Sequence, residues 1–132
     1  MKDCIFCKIV AGEIPCQKVY EDDDYLAFLD IRPLSEGQSL VIPKKHAQSN
    51  LPDTDTEILA GGIKVANKVA KMIQGALDSE RVFLAIEGID VAHFHYKLFP
   101  SHGKSLREIS ESGHKEPSQE ELEKLAEKIR NS

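Results

Sequence analysis

The decapeptide VAHFHYKLFP, residues 91–100, sets two histidines, a tyrosine and a lysine into a stretch that otherwise reads as a strand. In extended chain, side chains alternate between faces. Val91, His93, His95, Lys97 and Phe99 therefore share one face, and Ala92, Phe94, Tyr96 and Leu98 the other. The second face is apolar or aromatic and fits a core. The first aims three nitrogen bases in one direction, which suits a metal site, a catalytic site or a wet surface. Cys4-x-x-Cys7 is the other group with chemical potential. Two cysteines three residues apart supply half of a tetrahedral zinc site. The other half would come from His46 together with one of His93, His95 or His102, all far downstream and unlike the compact spacing of a finger. The plain alternative is a pair of reduced thiols packed as small hydrophobes. Cys16 has no partner spacing and reads as a packed or surface thiol. Histidine is the side chain best suited to act as base or nucleophile near neutral pH, so His95 is a candidate for phosphoryl or nucleotidyl transfer. That chemistry needs cationic or hydrogen-bonding groups around a phosphate, and Lys97 on the same face provides one. Against this stands the ordinary reading of a lone histidine on a strand.

These residues have to be positioned by a small set of elements. Residues 4–11 read as a short helix that ends at Gly12, with Pro15 as a stop; Cys4 and Cys7 then lie on one side of it. Val19-Tyr20 and Tyr25 to Ile31 read as a hairpin around the acidic turn 21–24, and that acid run reads as a solvated turn. Residues 31–37 form a loop and 39–43 a strand. Residues 54–78 make the clearest helix, opened by a capping box from Thr54 to Glu57. Leu59, Ile63, Ala66, Ala70, Ile73 and Leu77 give it an apolar stripe, suited to core packing or an oligomer contact, and Gly61-Gly62 weakens its first turns. Arg81 to Ile86 and Val91 to Phe99 read as two strands joined through a turn at Gly88. Residues 101–117 read as an irregular polar segment. A last helix starts at Ser118 with a capping box to Glu121, and Leu122, Leu125, Ala126 and Ile129 form its stripe. This order predicts an α+β domain with a mainly antiparallel sheet, a short N-terminal helix, a long central helix and a C-terminal helix.

The chain of 132 residues is long enough for one domain, and its 41% hydrophobic and 30% charged shares are those of a soluble globule. A domain of this size buries roughly two thirds of its unfolded surface. The net charge of −5, with no basic tract, argues against a nucleic-acid backbone binder while leaving room for a pocket that holds one phosphate. No apolar run approaches the ~20 residues needed to span a bilayer. The first residues are too few and too charged for a secretory signal, and three cysteines cannot build a disulfide framework. The expected compartment is a reducing cytoplasm.

Three blocks, CIFCKIVAGEIP, KVYEDDDYLAFLDIRPLSEGQSLVIPKKH and GIDVAHFHYKLFP, resemble the histidine triad (HIT) superfamily, in particular its purine-nucleoside phosphoramidases and dinucleotide hydrolases. The likeness covers residues 4–100, leaving 101–132 as a polar segment and C-terminal helix of the same domain. It implies a homodimer, paired across a two-fold axis through the central helix and strand 81–86. It implies a purine pocket of Ile5, Phe6, Ile9, Phe28, Leu29 and Ile31, with Asp30 accepting hydrogen bonds from ribose hydroxyls. His95 matches the middle histidine of the H-x-H-x-H motif, the nucleophile that attacks the α-phosphorus. Cys4, Cys7, His46 and His93 match the ligands of the zinc-binding members, which makes zinc structural and leaves His95 as the reactive histidine. Three departures stand out. Lys97 replaces the third motif histidine, Gln38 replaces a histidine, and Gly88-Ile89-Asp90 replaces the phosphate loop. Lysine keeps a donor and adds a fixed charge but does not readily accept a proton, and Asp90 would either repel a phosphate or pair with Lys97. The resemblance thus implies a hydrolase or transferase that cleaves a phosphoramidate or phosphoanhydride at the α-phosphorus through a nucleotidyl-histidine. The alternative is a zinc-stabilised purine-nucleotide-binding module that has lost useful catalysis. A weaker third reading is an interaction protein that recruits a partner through its helix stripe and acidic tail.

Overall fold

The computed structural model describes residues 3–132, in which α1 (Ile5–Val10) is followed by strands β1 (Lys18–Glu21), β2 (Tyr25–Leu29) and β3 (Ser39–Pro43). A 3-10 turn at Leu51–Asp53 leads into α2 (Thr56–Leu77), and β4 (Arg81–Ala85), β5 (Tyr96–Ser101), α3 (Leu106–Glu111) and α4 (Gln119–Arg130) complete the chain. The strands form one sheet in the order β1-β2-β3-β5-β4, and every neighbouring pair is antiparallel. The expected α+β architecture is the one that forms.

Alternation along the strands divides the apolar residues between two layers. Ala27, Leu29, Val41, Tyr96 and Leu98 join Val65, Ala66, Val69 and Ile73 of α2 and Leu122, Ala126 and Ile129 of α4 in the main core. Leu26, Phe28, Leu40 and Ile42 point the other way and are covered by Phe6 and Ile9 of α1, with Cys16 packed at the edge. The C-terminal helix is thus part of the main core. Arg130 also donates to the Lys18 carbonyl of β1 (2.6 Å).

Gly61 and Gly62 let α2 lie close against the sheet. A Cβ on Gly61 would stand 2.5 Å from the Tyr25 hydroxyl, and one on Gly62 2.6 Å from the Tyr96 ring. The two hydroxyls in turn donate to the helix carbonyls of Ile58 (2.8 Å) and Leu59 (2.7 Å).

Several local readings change. The N-cap of α2 is Asp55, whose carboxylate accepts from the Glu57 and Ile58 amides. Thr54 is instead buried, with its hydroxyl on the Gln48 and Asn50 carbonyls. The buried stripe of α2 runs through Gly62, Val65, Ala66, Val69 and Ile73. It is rotated from the expected one, and Ile63 is 46% exposed. Residues 91–95 are not strand, because β5 begins at Tyr96. The segment 101–117 is not wholly irregular, because Ser105 and Glu108 form a capping box that opens α3. Among the described residues, no helix is long and apolar enough to cross a membrane.

Candidate functional site

Four side chains from three distant parts of the chain meet where α1 abuts the sheet. Cys4 is the N-cap of α1, its Sγ accepting from the Cys7 amide (3.3 Å). His46 follows β3, and His93 lies in the bend before β5. Cys4 Sγ is 3.3 Å from His93 Nδ1, and Cys7 Sγ is 3.5 Å from the same nitrogen and 3.4 Å from His46 Nδ1. The four ligand atoms all lie within 4.8 Å of one another. A tetrahedral ion with bonds of about 2.3 Å to sulfur and 2.0–2.1 Å to nitrogen separates S and N by about 3.5 Å, so the quartet fits one. His93 Nε2–H donates to the Pro43 carbonyl (2.7 Å). That bond leaves Nδ1 as the ligating atom and fixes the ring. Of the candidate histidines, His46 and His93 join the cysteines, whereas His102 is exposed at the end of β5. When bound, a metal would tie α1 to the sheet.

His95 takes a different role from His93 although both rings pack edge-on against Phe6, at 5.0 and 5.8 Å between centroids. His95 Nδ1–H donates to the His93 carbonyl (2.8 Å), so its lone pair sits on Nε2. The side chain is 3% exposed. Burial above all holds the imidazole below its usual pKa, and Lys97 adds to this while the His93 carbonyl, Asp30 and Asp90 oppose it. Lys97, Asp30 and Asp90 all line a cleft of about 370 Å³, together with Ile31, Arg32, Gln38, Glu87 and His114. Lys97 pairs with Glu87 (2.8 Å) rather than with Asp90.

The resemblance-derived purine residues separate by face. Phe6, Ile9 and Phe28 are buried together under α1, and Phe6 and Phe28 meet edge-on at 5.8 Å. Leu29 is turned by alternation into the opposite core, away from α1. Ile5 (45%) and Ile31 (62%) are exposed. Asp30 follows β2, and its carboxylate accepts from the Arg32 amide (2.9 Å) and from Gln38 Nε2 (3.0 Å). Gln38, 3% exposed, also accepts from the Leu34 amide (2.6 Å), so its side chain locks Asp30 to the 31–37 loop. Gly88 has a φ of +70°, and a Cβ there would stand 2.5 Å from the Ser49 carbonyl oxygen. Only glycine holds that turn without strain.

Two features escaped the sequence reading. His114 lines the cleft with its Nδ1–H on the Arg32 carbonyl (2.8 Å). Lys115 donates its amide to the Pro33 carbonyl (2.8 Å) and its ammonium to the Leu34 carbonyl (3.0 Å). Residues of the C-terminal segment therefore clasp the loop that carries Asp30 and Gln38. No periodic or motif signal marks them. The Lys97–Glu87 pair is the other omission, and opposite charges ten residues apart give no local cue.

The fold and the Cys4-Cys7-His46-His93 quartet describe an α+β domain with a candidate metal centre, and comparison with known proteins gives the family. The HIT domain model matches residues 11–104, a span that begins after Cys4 and Cys7, and the chain belongs to this family. An uncharacterised HIT-like protein of Borreliella burgdorferi is 43% identical over 106 residues, 76% of each chain. The adenosine 5'-monophosphoramidase hnt1 of Schizosaccharomyces pombe is 42% identical over 97 residues, covering 70% of this chain and 71% of its own. The adenylylsulfatase HINT3 of Arabidopsis thaliana is 36% identical over 115 residues, 83% of this chain and 58% of its own. A hypothetical histidine triad nucleotide-binding protein of Sulfolobus tokodaii superposes with a TM-score of 0.85 at 32% identity, over 97% of this chain and 90% of its own. A Zn-bound histidine triad family protein of Mycobacterium smegmatis gives 0.78 at 28% identity, over 98% of this chain and 92% of its own.

Proposed function

We propose that the chain is a nucleotidyl hydrolase or transferase that cleaves a phosphoramidate or phosphoanhydride bond at the α-phosphorus of a purine nucleotide. The observation that carries this is the His95 tautomer, with Nδ1–H held by the His93 carbonyl at 2.8 Å and the lone pair left on Nε2. Nε2 attacks the α-phosphorus, a P–N bond forms, and the bond to the leaving group breaks with its electron pair, a departing oxygen leaving as an anion and a departing nitrogen taking a proton from water. Water then attacks the phosphorus, its proton goes to solvent, and the imidazole recovers its pair as the nucleotide leaves. Asp30, fixed by Gln38 and Arg32, would take the ribose hydroxyls. Gly88 and Asp90 shape the turn next to the phosphate. The phosphoramidase and adenylylsulfatase relatives support the class of reaction.

Cys4, Cys7, His46 and His93 would hold zinc, with all four positions filled by protein, which braces α1 and activates no water. The exposed edge of β4, including Leu84 at 39%, would pair with a second copy to form a homodimer, checked by sedimentation. The functional test is AMP release from an adenosine phosphoramidate and from an adenosine phosphoanhydride. Turnover by the wild type and none by His95→Ala is expected; turnover unchanged in His95→Ala would overturn the assignment. The second reading, a nucleotide-binding module without useful catalysis, is favoured by Glu87 occupying Lys97. Calorimetry showing AMP binding without hydrolysis of either substrate would select it.

A further inference from the structure

The reading of His95 as nucleophile leaves two kinds of leaving group, and they make opposite demands on the residue beside it. When Nε2 bonds to the α-phosphorus, the electron pair of the breaking bond moves onto the departing atom. A departing nitrogen needs a proton as it leaves, because an amide anion is far too basic to depart free. A departing sulfate or phosphate oxygen keeps the pair as a stable anion and needs a cation to face it. Lys97, two residues from His95, lines the cleft that also holds Asp30 and stands where the resemblance expects the third motif histidine. Lysine is the weaker acid of the two residue types, with an ordinary pKa of about 10.4 against about 6.5 for histidine. It suits charge neutralisation and not proton delivery.

The geometry points to an oxyanion leaving group: we propose that the chain acts on a nucleotide whose α-phosphate is joined through oxygen to a sulfate or phosphate, in preference to an amine. Lys97 is mostly enclosed, its side chain 15% exposed, whereas its partner Glu87 is 57% exposed. Glu87 is therefore the half of the pair free to swing into solvent, and an incoming oxyanion takes its place on the ammonium. The same ammonium holds Glu87 below the usual carboxylate range, so the carboxylate stays charged as the stand-in anion. Arg32 lines the same cleft and adds a guanidinium. Asp30 and Asp90 line the cleft as well, and Asp30 is held only by neutral donors, so both carboxylates work against an anion and the Lys97 ammonium has to outweigh them.

The test compares AMP release by the intact protein from adenosine 5'-phosphosulfate and adenosine 5'-phosphoramidate. The expected kcat/KM is at least about tenfold higher for the phosphosulfate. Lys97→His should shrink that ratio by at least about tenfold, and Lys97→Arg should keep it. A mere folding defect would lower both substrates together and leave the ratio alone. Equal or faster turnover of the phosphoramidate by the wild type overturns the leaving-group assignment while His95 as nucleophile stands. A ratio unchanged in Lys97→His also overturns it. No AMP from either substrate overturns the nucleophile reading and this inference together.

Discussion

Gln38→Ala should be the most informative change outside the reacting groups. The side chain is 3% exposed and makes two bonds, accepting from the Leu34 amide at 2.6 Å and donating to the Asp30 carboxylate at 3.0 Å. A neutral hydrogen bond contributes about 1 kcal/mol and one to a charged group about 1.5–3 kcal/mol, and a partner left unsatisfied adds to the loss. The expected destabilisation is about 3 kcal/mol. For a chain of this size that corresponds to roughly 3–5 °C per kcal/mol, hence a fall of about 9–15 °C in Tm. Asp30 keeps its bond from the Arg32 amide but loses the one that sets its outer oxygen, so AMP should bind at least about fivefold more weakly. Urea unfolding gives the stability change and isothermal calorimetry the affinity. A cycle with Asp30→Asn should return a coupling energy near 1–2 kcal/mol, within the range for directly bonded groups. A loss under about 1 kcal/mol, with unchanged AMP affinity and no coupling, would refute the view that Gln38 positions Asp30.

Gly88→Ala places a Cβ 2.5 Å from the Ser49 carbonyl oxygen at a φ of +70°. It should cost more than about 2 kcal/mol, beyond a simple left-handed strain, and lower AMP release, as urea midpoints and steady-state assays would reveal. Metal removal should destabilise the protein by about 2.7 kcal/mol when the ion is present at a hundred times its Kd. A chelator should therefore lower Tm in the wild type and leave Cys7→Ser unmoved, with elemental analysis reading about one zinc per chain before treatment. Glu21, bonded first by Lys44 at 2.8 Å and then by Lys18 at 2.9 Å, is held down to about 2 from an ordinary 4.5. A depressed carboxylate stabilises the fold above its unfolded pKa and loses that contribution as pH falls from about 5 toward 2. Because Glu21 is 39% exposed, the effect should stay under about 1 kcal/mol. The stability difference between wild type and Glu21→Gln should accordingly vanish near pH 2.

Periodicity made the strands legible, since β2 and β3 alternate between the two cores as Phe28 and Leu29 do, and β5 alternates between the main core and the cleft. The C-terminal helix was equally plain from Ser118, Glu121 and the stripe through Leu122, Ala126 and Ile129. Capping was read less well. Thr54 has the right type for an N-cap, yet its hydroxyl is used by the Gln48 and Asn50 carbonyls, and Asp55 takes the role. Ser105 and Glu108 carried the same signal as Ser118 and Glu121 but sit in a six-residue helix with little periodicity to support them. The face reading of VAHFHYKLFP survived only from Phe94 on, where Phe94, Tyr96 and Leu98 join the main core; residues 91–93 bend, and Ala92 is exposed instead of buried. What residue spacing could not give was convergence. That Cys4, Cys7, His46 and His93 meet, that Gln38 braces Asp30, and that His114 and Lys115 clasp the 31–35 loop depend on tertiary packing. Lys97 was noticed by type, but its partner Glu87 could be identified only in space.

The central claim is that Nε2 of His95 carries the nucleotide between the two half-reactions. Rapid quenching of the wild type with an adenosine 5'-phosphoanhydride, followed by peptide mass analysis, tests it directly. The account predicts an adenylyl group on the peptide that contains His95, formed and lost at rates compatible with turnover and absent from His95→Ala. Turnover with no such adduct, or an adduct on another residue, would contradict it.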